Sequence, residues 1–337
     1  MDSPIICAVA GLGRIGSTLE RDPLREKPAS HAGAISGHPK AVLAAGADPD
    51  PQQREAFRTD WPDVRVYDDA ERMLETEKPV IFHIASWTDT HPDLLRAAID
   101  AEIPVVVCEK PLANSVRSAR PLRRALRGSR TRVVMNHERR FSRDYRAVHD
   151  MIRSKVHGEL LSISARLYMG RSRPAQRLLY HDGTHMLDIL RYLTGEELRI
   201  THVDGRADRA GDGLMISLLA GSIPVSLDAS GGRDHLEFSL DLSFTSGRVR
   251  IGNGIFEIWE SEESPHYTGF RSLIKTRDSW EGETGYFSGM MAHAVSLAEN
   301  PDLPSESDLD DGFAVLVTIR DILRRSRQSG LFQLFGL

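Results

Sequence analysis

The sequence predicts an α/β domain with a doubly wound parallel sheet, followed by an α+β domain built on an open, mainly antiparallel sheet. Short apolar runs alternate with helical patterns over roughly the first 150 residues, and apolar and polar residues alternate strictly around residue 240. The chain has 337 residues, which is about twice the usual domain length. We therefore divide it into residues 1–140 and 141–337.

Six apolar runs in the first part predict buried strands. Several are continuously apolar, as expected for strands that helices cover on both faces. The predicted strands are 5–10, 42–47, 64–67, 80–85, 105–108 and 133–135. The helical patterns between them cover residues 69–76, 92–101 and 116–126. Alternating β and α units require parallel strands joined by right-handed crossovers.

The second part has a different pattern. Residues 236–244 alternate apolar and polar side chains, which is typical of a strand with one buried face. Weaker alternation runs through residues 160–168, 214–228, 248–251 and 255–259. Helical spacing returns at residues 290–295 and 313–322, and these last helices are compatible with packing on either domain. Ser307, followed by Asp310, resembles a capping box in front of the final helix.

Charge and composition exclude several classes of protein. Basic and acidic residues nearly balance, 43 against 48, and the net charge of -5 argues against a protein that binds nucleic acid or an anionic membrane with its whole surface. The arginine-rich stretch 117–132 has apolar residues on one side of its helical pattern, which indicates a solvated helix face. No run approaches the roughly 20 apolar residues of a membrane span.

The N-terminus and the cysteines indicate a cytoplasmic protein. The first residues, Met1-Asp2-Ser3-Pro4, lack the basic start and apolar core of a signal peptide. Cys7 and Cys108 are the only cysteines in the sequence, and both lie in apolar strand-like runs. We expect both to be reduced, buried thiols.

A glycine motif follows the first predicted strand directly. Its sequence, Gly11-Leu12-Gly13-Arg14-Ile15-Gly16, has the spacing of a dinucleotide-binding turn. In such a turn Gly11 allows the tight bend, Gly13 the close approach of a pyrophosphate, and Gly16 close packing of helix on strand. The N-terminus of the following helix offers free N–H groups to the phosphates. We therefore expect a Rossmann nucleotide site here.

Asp48 follows the second strand, where a carboxylate can accept hydrogen bonds from a ribose diol. No Arg or Lys follows it in Asp48-Pro49-Asp50-Pro51, so a 2′-phosphate would meet uncompensated negative charge, and NAD is favoured over NADP. Asp48 lies 32 residues beyond Gly16, whereas about 20 is usual. The excess indicates an insertion at residues 21–28, either a surface loop or a basic lid near the cofactor phosphates or an anionic substrate.

Lys110 lies directly after the predicted strand 105–108, at the edge of a parallel sheet where ligands bind. Only six of the 43 basic residues are lysines. The following Pro111 biases Lys110 away from helical backbone angles. Taken alone, Lys110 would be interpreted as a strand-end lysine that reaches water; the histidine segment described next favours a catalytic role.

A histidine-rich segment, Tyr180-His181-Asp182-Gly183-Thr184-His185-Met186-Leu187-Asp188, leads into an apolar helical pattern. That spacing predicts His181 and His185 one turn apart on the same helix face. The two histidines beside Asp182 form an acid–base pair, half of a metal site or a structural pair. We favour acid–base chemistry without a metal, because imidazole titrates close to pH 7. A zinc site would need a third ligand, for which the candidates are His137, Glu138 and Asp188.

Together these motifs resemble the Gfo/Idh/MocA family (glucose–fructose oxidoreductase / inositol dehydrogenase). The resemblance rests on the glycine motif, on Glu109-Lys110-Pro111 and on the helix start Gly183-x-His185-x-x-Asp188, with further similarity at residues 84–91, 140–141 and 311–330. It implies an NAD(P)-binding Rossmann domain at 1–140 and a substrate-binding and dimerisation domain at 141–337. It also implies a homodimer or homotetramer formed through the free face of the second sheet.

The resemblance further implies a Lys–Asp–His triad. Lys110 and His185 match it, but the position of the aspartate is occupied by His181, with Asp182 one residue later, so either of these two takes that role. His31 is similar to the histidine of the family's first helix, displaced by the insertion. Cofactor contacts are expected from the glycine motif, Asp48, Ser86, Trp87, Thr88, His91, Glu109 and Lys110. Substrate contacts are expected from Lys110, Arg139, Arg140, Tyr180, His181 and His185.

The expected function is that of an NAD(P)-dependent dehydrogenase acting on the CH–OH group of a sugar or nucleotide sugar. His185 removes the hydroxyl proton, and Lys110 stabilises the negative charge that develops on the oxygen. The basic insertion with Arg139 and Arg140 favours an anionic substrate such as a UDP-linked amino sugar. Two alternatives stay open: a glycosidase that uses tightly held NAD for transient oxidation and elimination, and a non-catalytic NAD-sensing protein.

Overall fold

The computed structural model describes the backbone of residues 3–170 and 174–335, with side chains up to residue 327. Met1 and Asp2 of the predicted cytoplasmic N-terminus lie outside these residues. The chain forms two compact units, one comprising Met1–Ser142 and Gly285–Leu316 and the other Arg143–Thr284 and Val317–Leu337. The units thus interleave along the sequence, whereas the sequence analysis divided the chain once, at residue 140.

The first unit alternates strands and helices. Its strands are β1 (Ile5–Ala10), β2 (Ala41–Ala47), β3 (Arg65–Tyr67), β4 (Ile81–Ile84), β5 (Val105–Cys108) and β6 (Arg132–Met135). Its first five α-helices are α1 (His31–Ser36), α2 (Pro51–Asp60), α3 (Ala70–Glu77), α4 (His91–Asp100) and α5 (Val116–Leu126). Short 3-10 helices lie at Thr18–Arg21 and Glu138–Phe141.

The six strands form one parallel sheet in the order β3-β2-β1-β4-β5-β6. This is the doubly wound order, and its direction reverses between β1 and β4, where ligands bind at the carboxyl ends of the strands. Every residue of β4 and β5 is buried; the continuous apolar run of β5 predicted this, and in β4 the burial includes His83. Cys7 and Cys108 are buried and unbridged, and burial raises the pKa of the Cys7 thiol to about 12.

The second unit begins with helix α6 (Arg143–Ser154) and carries helices α7 (Ala175–His181) and α8 (Gly183–Thr194) after its first strand. Its eight strands are β7 (Leu160–Met169), β8 (Leu198–Gly205), β9 (Gly213–Ala220), β10 (Ile223–Ser230), β11 (Leu236–Phe244), β12 (Gly247–Gly252), β13 (Ile255–Glu263) and β14 (Arg271–Arg277). They pair in the order β14-β13-β12-β11-β7-β10-β9-β8, and all pairs are antiparallel except β10 with β7. The predicted fold class is confirmed.

The last two helices are α9 (Tyr286–Glu299) and α10 (Leu309–Phe335). Helix α9 joins the core of the first unit through Phe287, Met290 and Met291. The cap of α10 is Asp308, whose carboxylate accepts from the N–H of Asp311, while the Asp311 carboxylate accepts from the N–H of Asp308. The capping box therefore begins one residue after the predicted Ser307.

Candidate functional site

The glycine turn has the conformation that its sequence predicted. Gly11 has a φ of +89°, and a Cβ atom there would lie 2.4 Å from the backbone N of Ser86, in the loop after β4. A Cβ on Gly16 would lie 1.9 Å from the carbonyl oxygen of Gly11. Only glycine therefore allows the two ends of the turn to pack this closely. A Cβ on Gly13 would meet nothing within 4 Å. The turn thus packs closely against other backbone atoms at Gly11 and Gly16 and leaves open space at Gly13. This arrangement fits a dinucleotide pyrophosphate, which would approach the backbone at Gly13.

The first helix after the turn is interrupted, as the insertion predicted at residues 21–28 implies. The N–H of Ser17 donates to the carbonyl of Gly13 at 2.9 Å, and a single turn leads into the 3-10 helix at Thr18–Arg21. Helix α1 starts only at His31, whose N–H donates to the carbonyl of Ile15 at 3.0 Å. Arg14 and Ile15 lie in this turn, Ile15 half-buried and Arg14 exposed. Residues 17–30 therefore interrupt the first helix.

The interrupting segment is held by its own polar contacts. Glu20 accepts from the N–H of Ala29 at 3.0 Å and from the hydroxyl of Ser30 at 2.8 Å. Glu26 Oε1 accepts from the N–H of Gly285 at 2.5 Å, at the start of α9. Arg21 makes a bidentate ion pair with Asp60. The insertion is therefore a folded segment of the first unit with defined anchors.

Asp48 lies beside the glycine turn in spite of its long spacing in the sequence. The N–H of Gly11 donates to the carbonyl of Ala47 at 2.8 Å, and the N–H of Leu12 donates to Asp48 Oδ2 at 2.8 Å. Asp48 Oδ1 accepts from the N–H of Asp50 at 2.9 Å. The side chain is half-buried, so its carboxylate is fixed at the end of β2, where a ribose diol would be recognised.

One arginine lies close to Asp48 although none follows it directly. The guanidinium of Arg54 donates to the backbone carbonyls of Asp48 at 2.7 Å and Pro49 at 2.8 Å. These bonds hold the loop rather than neutralising the Asp48 carboxylate. Beyond them lies a shallow cleft of about 310 Å³ lined by Arg54, Arg58, Val66, Tyr67, Asp68 and Arg72. The negative charge of Asp48 next to the turn still favours a ribose without a 2′-phosphate.

The loop after β4 contributes two kinds of residue. The Trp87 side chain is 84% exposed and Thr88 is half-buried, while Ser86 Oγ lies 2.6 Å from Thr90 Oγ1. His91 differs from the prediction that it lines the cofactor. It is 1% exposed, with Nδ1 2.9 Å from the carbonyl of Pro111 and Nε2 3.1 Å from the carbonyl of Ser86. Burial lowers the pKa of His91, and we assign this ring to bracing the two loops.

Glu109 and Lys110 follow β5 at the same edge of the sheet. Glu109 is 6% exposed, and its carboxylate lies 3.0 Å from His31 Nε2 and 2.5 Å from Asn136 Nδ2. His31 in turn lies 2.8 Å from His83, Nδ1 to Nδ1. Burial raises the pKa of Glu109, but His31, Lys110 and Asn136 outweigh it and lower this pKa to about 2. Lys110 is half-buried and directly follows this ionised carboxylate, which its neighbours hold in place.

The two arginines after β6 have different environments. Arg140 is 6% exposed, and its guanidinium contacts both carboxylate oxygens of Asp311 at 3.0 Å and the carbonyl of Glu306 at 2.6 Å. Arg140 is therefore held by partners within the first unit, and its contact with substrate stays a prediction. The guanidinium of Arg139 lies 5.9 Å from the centre of the Tyr286 ring.

Glu138 is a candidate that the sequence analysis considered only as a metal ligand. Its half-buried carboxyl group lies among charged neighbours after β6. Burial raises its pKa; the charges of Arg139, Lys110 and Arg25 oppose that shift, and the charge of Glu109 adds to it. The carboxyl group therefore belongs to the same electrostatic cluster as Lys110, and Arg25 brings the insertion into that cluster.

In the second unit, the predicted single helix carrying both histidines is broken. Helix α7 ends at His181, and α8 begins at Gly183 with Asp182 as the residue between them. His181 is exposed and its Nδ1 lies 2.8 Å from Asp182 Oδ2, whereas His185 is 8% exposed. His181 and His185 therefore differ in exposure, and Asp182 joins the two helices that carry them. Tyr180 is half-buried, and burial raises the pKa of its hydroxyl.

The structure thus brings the predicted cofactor residues and Lys110 together at one sheet edge, while His181, Asp182 and His185 belong to the other unit. His83 and Asn136 had not been predicted as site residues. Each had a signal in the sequence: His83 interrupts an apolar strand, and Asn136 directly follows β6 as Glu109 follows β5.

Within residues 3–170 and 174–335, no group of three or more His, Cys, Asp or Glu side chains is arranged to hold a metal ion. None of the helices in this part of the chain has the length and hydropathy needed to cross a lipid bilayer.

Comparison with known proteins supports the nucleotide site. Residues 5–137 match the model of an oxidoreductase family with an NAD-binding Rossmann fold, named GFO_IDH_MocA. The chain is 30% identical over 209 residues to an inositol 2-dehydrogenase from Pseudarthrobacter chlorophenolicus, an alignment that covers 60% of this chain and 58% of that relative. The similarity therefore spans a little over half the length of this curated relative.

Solved structures share the whole architecture. A dehydrogenase from Chromobacterium violaceum superposes with a TM-score of 0.82 over 99% of both chains at 17% identity. The WlbA dehydrogenase from Bordetella pertussis, in complex with NADH and UDP-GlcNAcA, gives a TM-score of 0.73 over 97% of both chains at 17% identity. At this identity the likeness concerns the fold. Residues 5–137 are thus similar to the NAD-binding Rossmann domain of the Gfo/Idh/MocA oxidoreductases, and the inositol 2-dehydrogenase shares this similarity over a little more than half of its length.

Proposed function

We propose that this protein is an NAD-dependent dehydrogenase that oxidises a hydroxyl group of a sugar or cyclic polyol. One observation carries the proposal. Lys110 directly follows the buried Glu109, whose carboxyl group accepts from the Lys110 backbone N–H, and both lie at the sheet edge that also holds the glycine turn. A cofactor-binding edge with a lysine fixed beside a carboxylate is suited to CH–OH chemistry. NAD, when bound, supplies the acceptor for the hydride.

Different residues of the chain bind different parts of NAD in this proposal. The open side of Gly13 and the N–H groups of the turn take the pyrophosphate, and Asp48 takes the adenosine ribose. Trp87, exposed in the loop after β4, offers an indole face to the rest of the cofactor or to the substrate. None of these contacts with NAD requires a continuous helix directly after the glycine turn.

Lys110 and His185 act on the substrate hydroxyl in this proposal. The Lys110 ammonium donates a hydrogen bond to the reacting oxygen and stabilises its developing negative charge. His185 accepts the hydroxyl proton, a task that suits an imidazole near neutral pH. Asp182 is the better candidate than His181 for orienting the base, because His181 is exposed and already paired with Asp182.

The substrate class follows from charge. An anionic substrate would need free positive charge on Arg139, Arg140 or the basic insertion, but Arg140 is paired with Asp311. Arg139 and Arg25 lie near the carboxyl group of Glu138, so their charges are partly balanced. We therefore propose a neutral polyol or sugar, in agreement with the inositol 2-dehydrogenases at about 30% identity, in preference to a nucleotide sugar.

The deciding experiment is NADH formation with a panel of substrates. The purified protein is incubated with NAD and, separately, with inositols, free sugars and UDP-linked sugars, and with aryl glycosides as a control. NADH formed from an inositol or free sugar is the expected result. Release of the aryl group without net NADH would indicate the glycosidase, whereas NADH binding with no turnover of any compound would indicate the sensor.

We also retain the proposal that the second sheet forms the contact of a homodimer or homotetramer. The second sheet carries ion pairs that are partly exposed: Asp241 pairs with Arg248 and Arg250, and Glu257 pairs with Arg250 and Lys275. Such a sheet would associate through polar contacts, so the oligomer should weaken as salt is raised. Light scattering at low and high ionic strength tests this.

A further inference from the structure

A buried row of polar side chains leads from Glu109 into the interior of the first unit. Glu109 Oε1 lies 3.0 Å from His31 Nε2 and 2.5 Å from Asn136 Nδ2, and His31 Nδ1 lies 2.8 Å from His83 Nδ1. His31 and His83 are 0% exposed, and Asn136 is 1% exposed. Burying four polar side chains costs desolvation free energy that apolar packing would avoid. The row therefore calls for an explanation beyond packing.

The proton positions in this row follow from one buried nitrogen atom that has no hydrogen-bond partner among the residues described. This nitrogen is His83 Nε2. Burial lowers the pKa of His83 well below its usual value, so the ring is neutral and carries one N–H. A buried N–H without an acceptor is rarer than a buried acceptor without a donor. The His83 proton is therefore assigned to Nδ1, the nitrogen that faces His31.

This assignment gives the row a direction. His83 Nδ1–H donates to His31 Nδ1, so the contact of His31 with Glu109 Oε1 is a hydrogen bond donated by His31 Nε2–H. Asn136 donates to the same oxygen. The other oxygen, Oε2, accepts from the backbone N–H of Lys110 at 3.3 Å. Both oxygens of the buried carboxylate are thus held, and one of them is bonded to the residue that carries the proposed catalytic amine.

We propose that His31 and His83 are positioning residues of the dehydrogenase, which hold the Glu109 carboxyl group in one orientation beside Lys110. His83 fixes the tautomer of His31, and His31 supplies the N–H that Glu109 needs. This inference rests on the proposed function, because it concerns the residue next to Lys110. It assigns a role to two buried histidines that touch neither substrate nor cofactor.

A row that only fills space and a row that positions Glu109 respond differently to substitution. Without the His31 donor, burial dominates at Glu109 and its pKa rises, so the carboxylate takes up a proton at higher pH. The acid limb of the pH dependence of kcat/KM then moves to higher pH. A space-filling row would lose stability on substitution but would keep the pH profile.

The first experiment compares His31→Leu with His31→Gln. The glutamine amide can take the place of Nε2 and donate to Glu109, whereas leucine cannot. We expect His31→Leu to lower kcat about a hundredfold, as a displaced catalytic group does, and to shift the acid limb upward with NADH affinity unchanged. His31→Gln should restore most of both properties.

His293→Leu is the matched control. His293 is 7% exposed in the same unit, stacks on Phe141 and accepts from the N–H of Glu306. We expect this variant to lose stability and to keep the wild-type pH profile. An unmoved acid limb in His31→Leu, or an equal movement in His293→Leu, would overturn the proposal.

A second experiment needs neither turnover nor a variant. Nitrogen NMR of the imidazole groups in the wild-type protein reports which nitrogen of each buried histidine carries the proton. We expect Nδ1–H on His83 and Nε2–H on His31. The opposite tautomers would overturn the proposed row whether or not a substrate is found. The expected tautomers together with no NADH formation on any polyol would overturn only the proposed function.

Discussion

The backbone N–H of His31 donates to the carbonyl of Ile15 at 3.0 Å, and the next residue, Ala32, donates to Gly16 at 2.9 Å. In a continuous helix such bonds join residues four positions apart, whereas these join residues sixteen apart. Twelve residues therefore leave the first helix and return to it. The same number separates the observed spacing of 32 between Gly16 and Asp48 from the usual value of about 20. The insertion loops out of the helix, which explains how Asp48 still reaches the glycine turn.

Removing residues 18–29 would place His31 four positions after Ile15 and close the helix. We expect this deletion variant to fold and to bind NADH as the wild type does, because the turn and Asp48 stay in place. The KM for the substrate should rise, since Arg25 belongs to the charged cluster of Glu138 and Lys110. Fluorescence titration with NADH and steady-state kinetics measure the two effects. Loss of NADH binding in a folded deletion variant would show that the insertion is part of the cofactor site.

Asp48 should determine the preference for NAD. In Asp48→Ser the hydrogen bonds from a ribose diol to a carboxylate are lost and the charge that repels a 2′-phosphate is removed. We expect the ratio of kcat/KM for NADP to that for NAD to rise by about tenfold to a hundredfold. The control is Asp50→Ser, which alters the cap of α2 on the N–H of Gln52 and should leave the ratio unchanged. An unchanged ratio in Asp48→Ser would place the ribose elsewhere.

Arg140 and Arg139 should give contrasting variants. Arg140→Ala leaves Asp311 without its buried cation, so we expect the free energy of unfolding to fall by about 3 kcal/mol. Arg139→Ala should lose less stability and should raise the KM for the substrate. Denaturant unfolding and steady-state kinetics separate the two roles. A raised KM with full stability in Arg140→Ala would instead support the predicted contact of Arg140 with substrate.

The stability of the first unit should depend on pH through Glu109. Its pKa is lowered from 4.5 to about 2 in the folded protein, so its contribution is fully present above about pH 5 and is lost as the pH falls towards 2. In Glu109→Gln this part of the pH dependence should disappear. Urea unfolding at several pH values between about 5 and about 3 tests it. Curves for wild type and Glu109→Gln that stay parallel over this range would contradict the assignment of a lowered pKa.

The sequence predicted the sheets better than the helices. Strands β1, β5 and β11 have the predicted bounds, because continuous or alternating apolar runs report burial directly. Helix α2 was not predicted: only Phe57 of its ten residues is buried, so it has no apolar stripe. The break at Asp182 was not visible either, since apolar spacing continues from α7 into α8.

The site was predictable where a residue's role depends on its place at a strand end. The glycine turn, Asp48 and Lys110 all follow buried strands, and parallel strands end at one edge. Arg140 and His91 follow the same rule in the sequence, yet tertiary partners far along the chain, Asp311 and the carbonyl of Pro111, hold them inside the protein. Local sequence carries no signal for such partners.

The most direct test of the central claim is hydride transfer to NAD by the wild type, Lys110→Ala and His185→Ala, measured beside their NADH affinities. We expect both variants to bind NADH as the wild type does and to lose turnover by at least about a hundredfold, because each removes a group that acts on the reacting oxygen. Full turnover in either folded variant would contradict the assignment of these two residues to the chemistry.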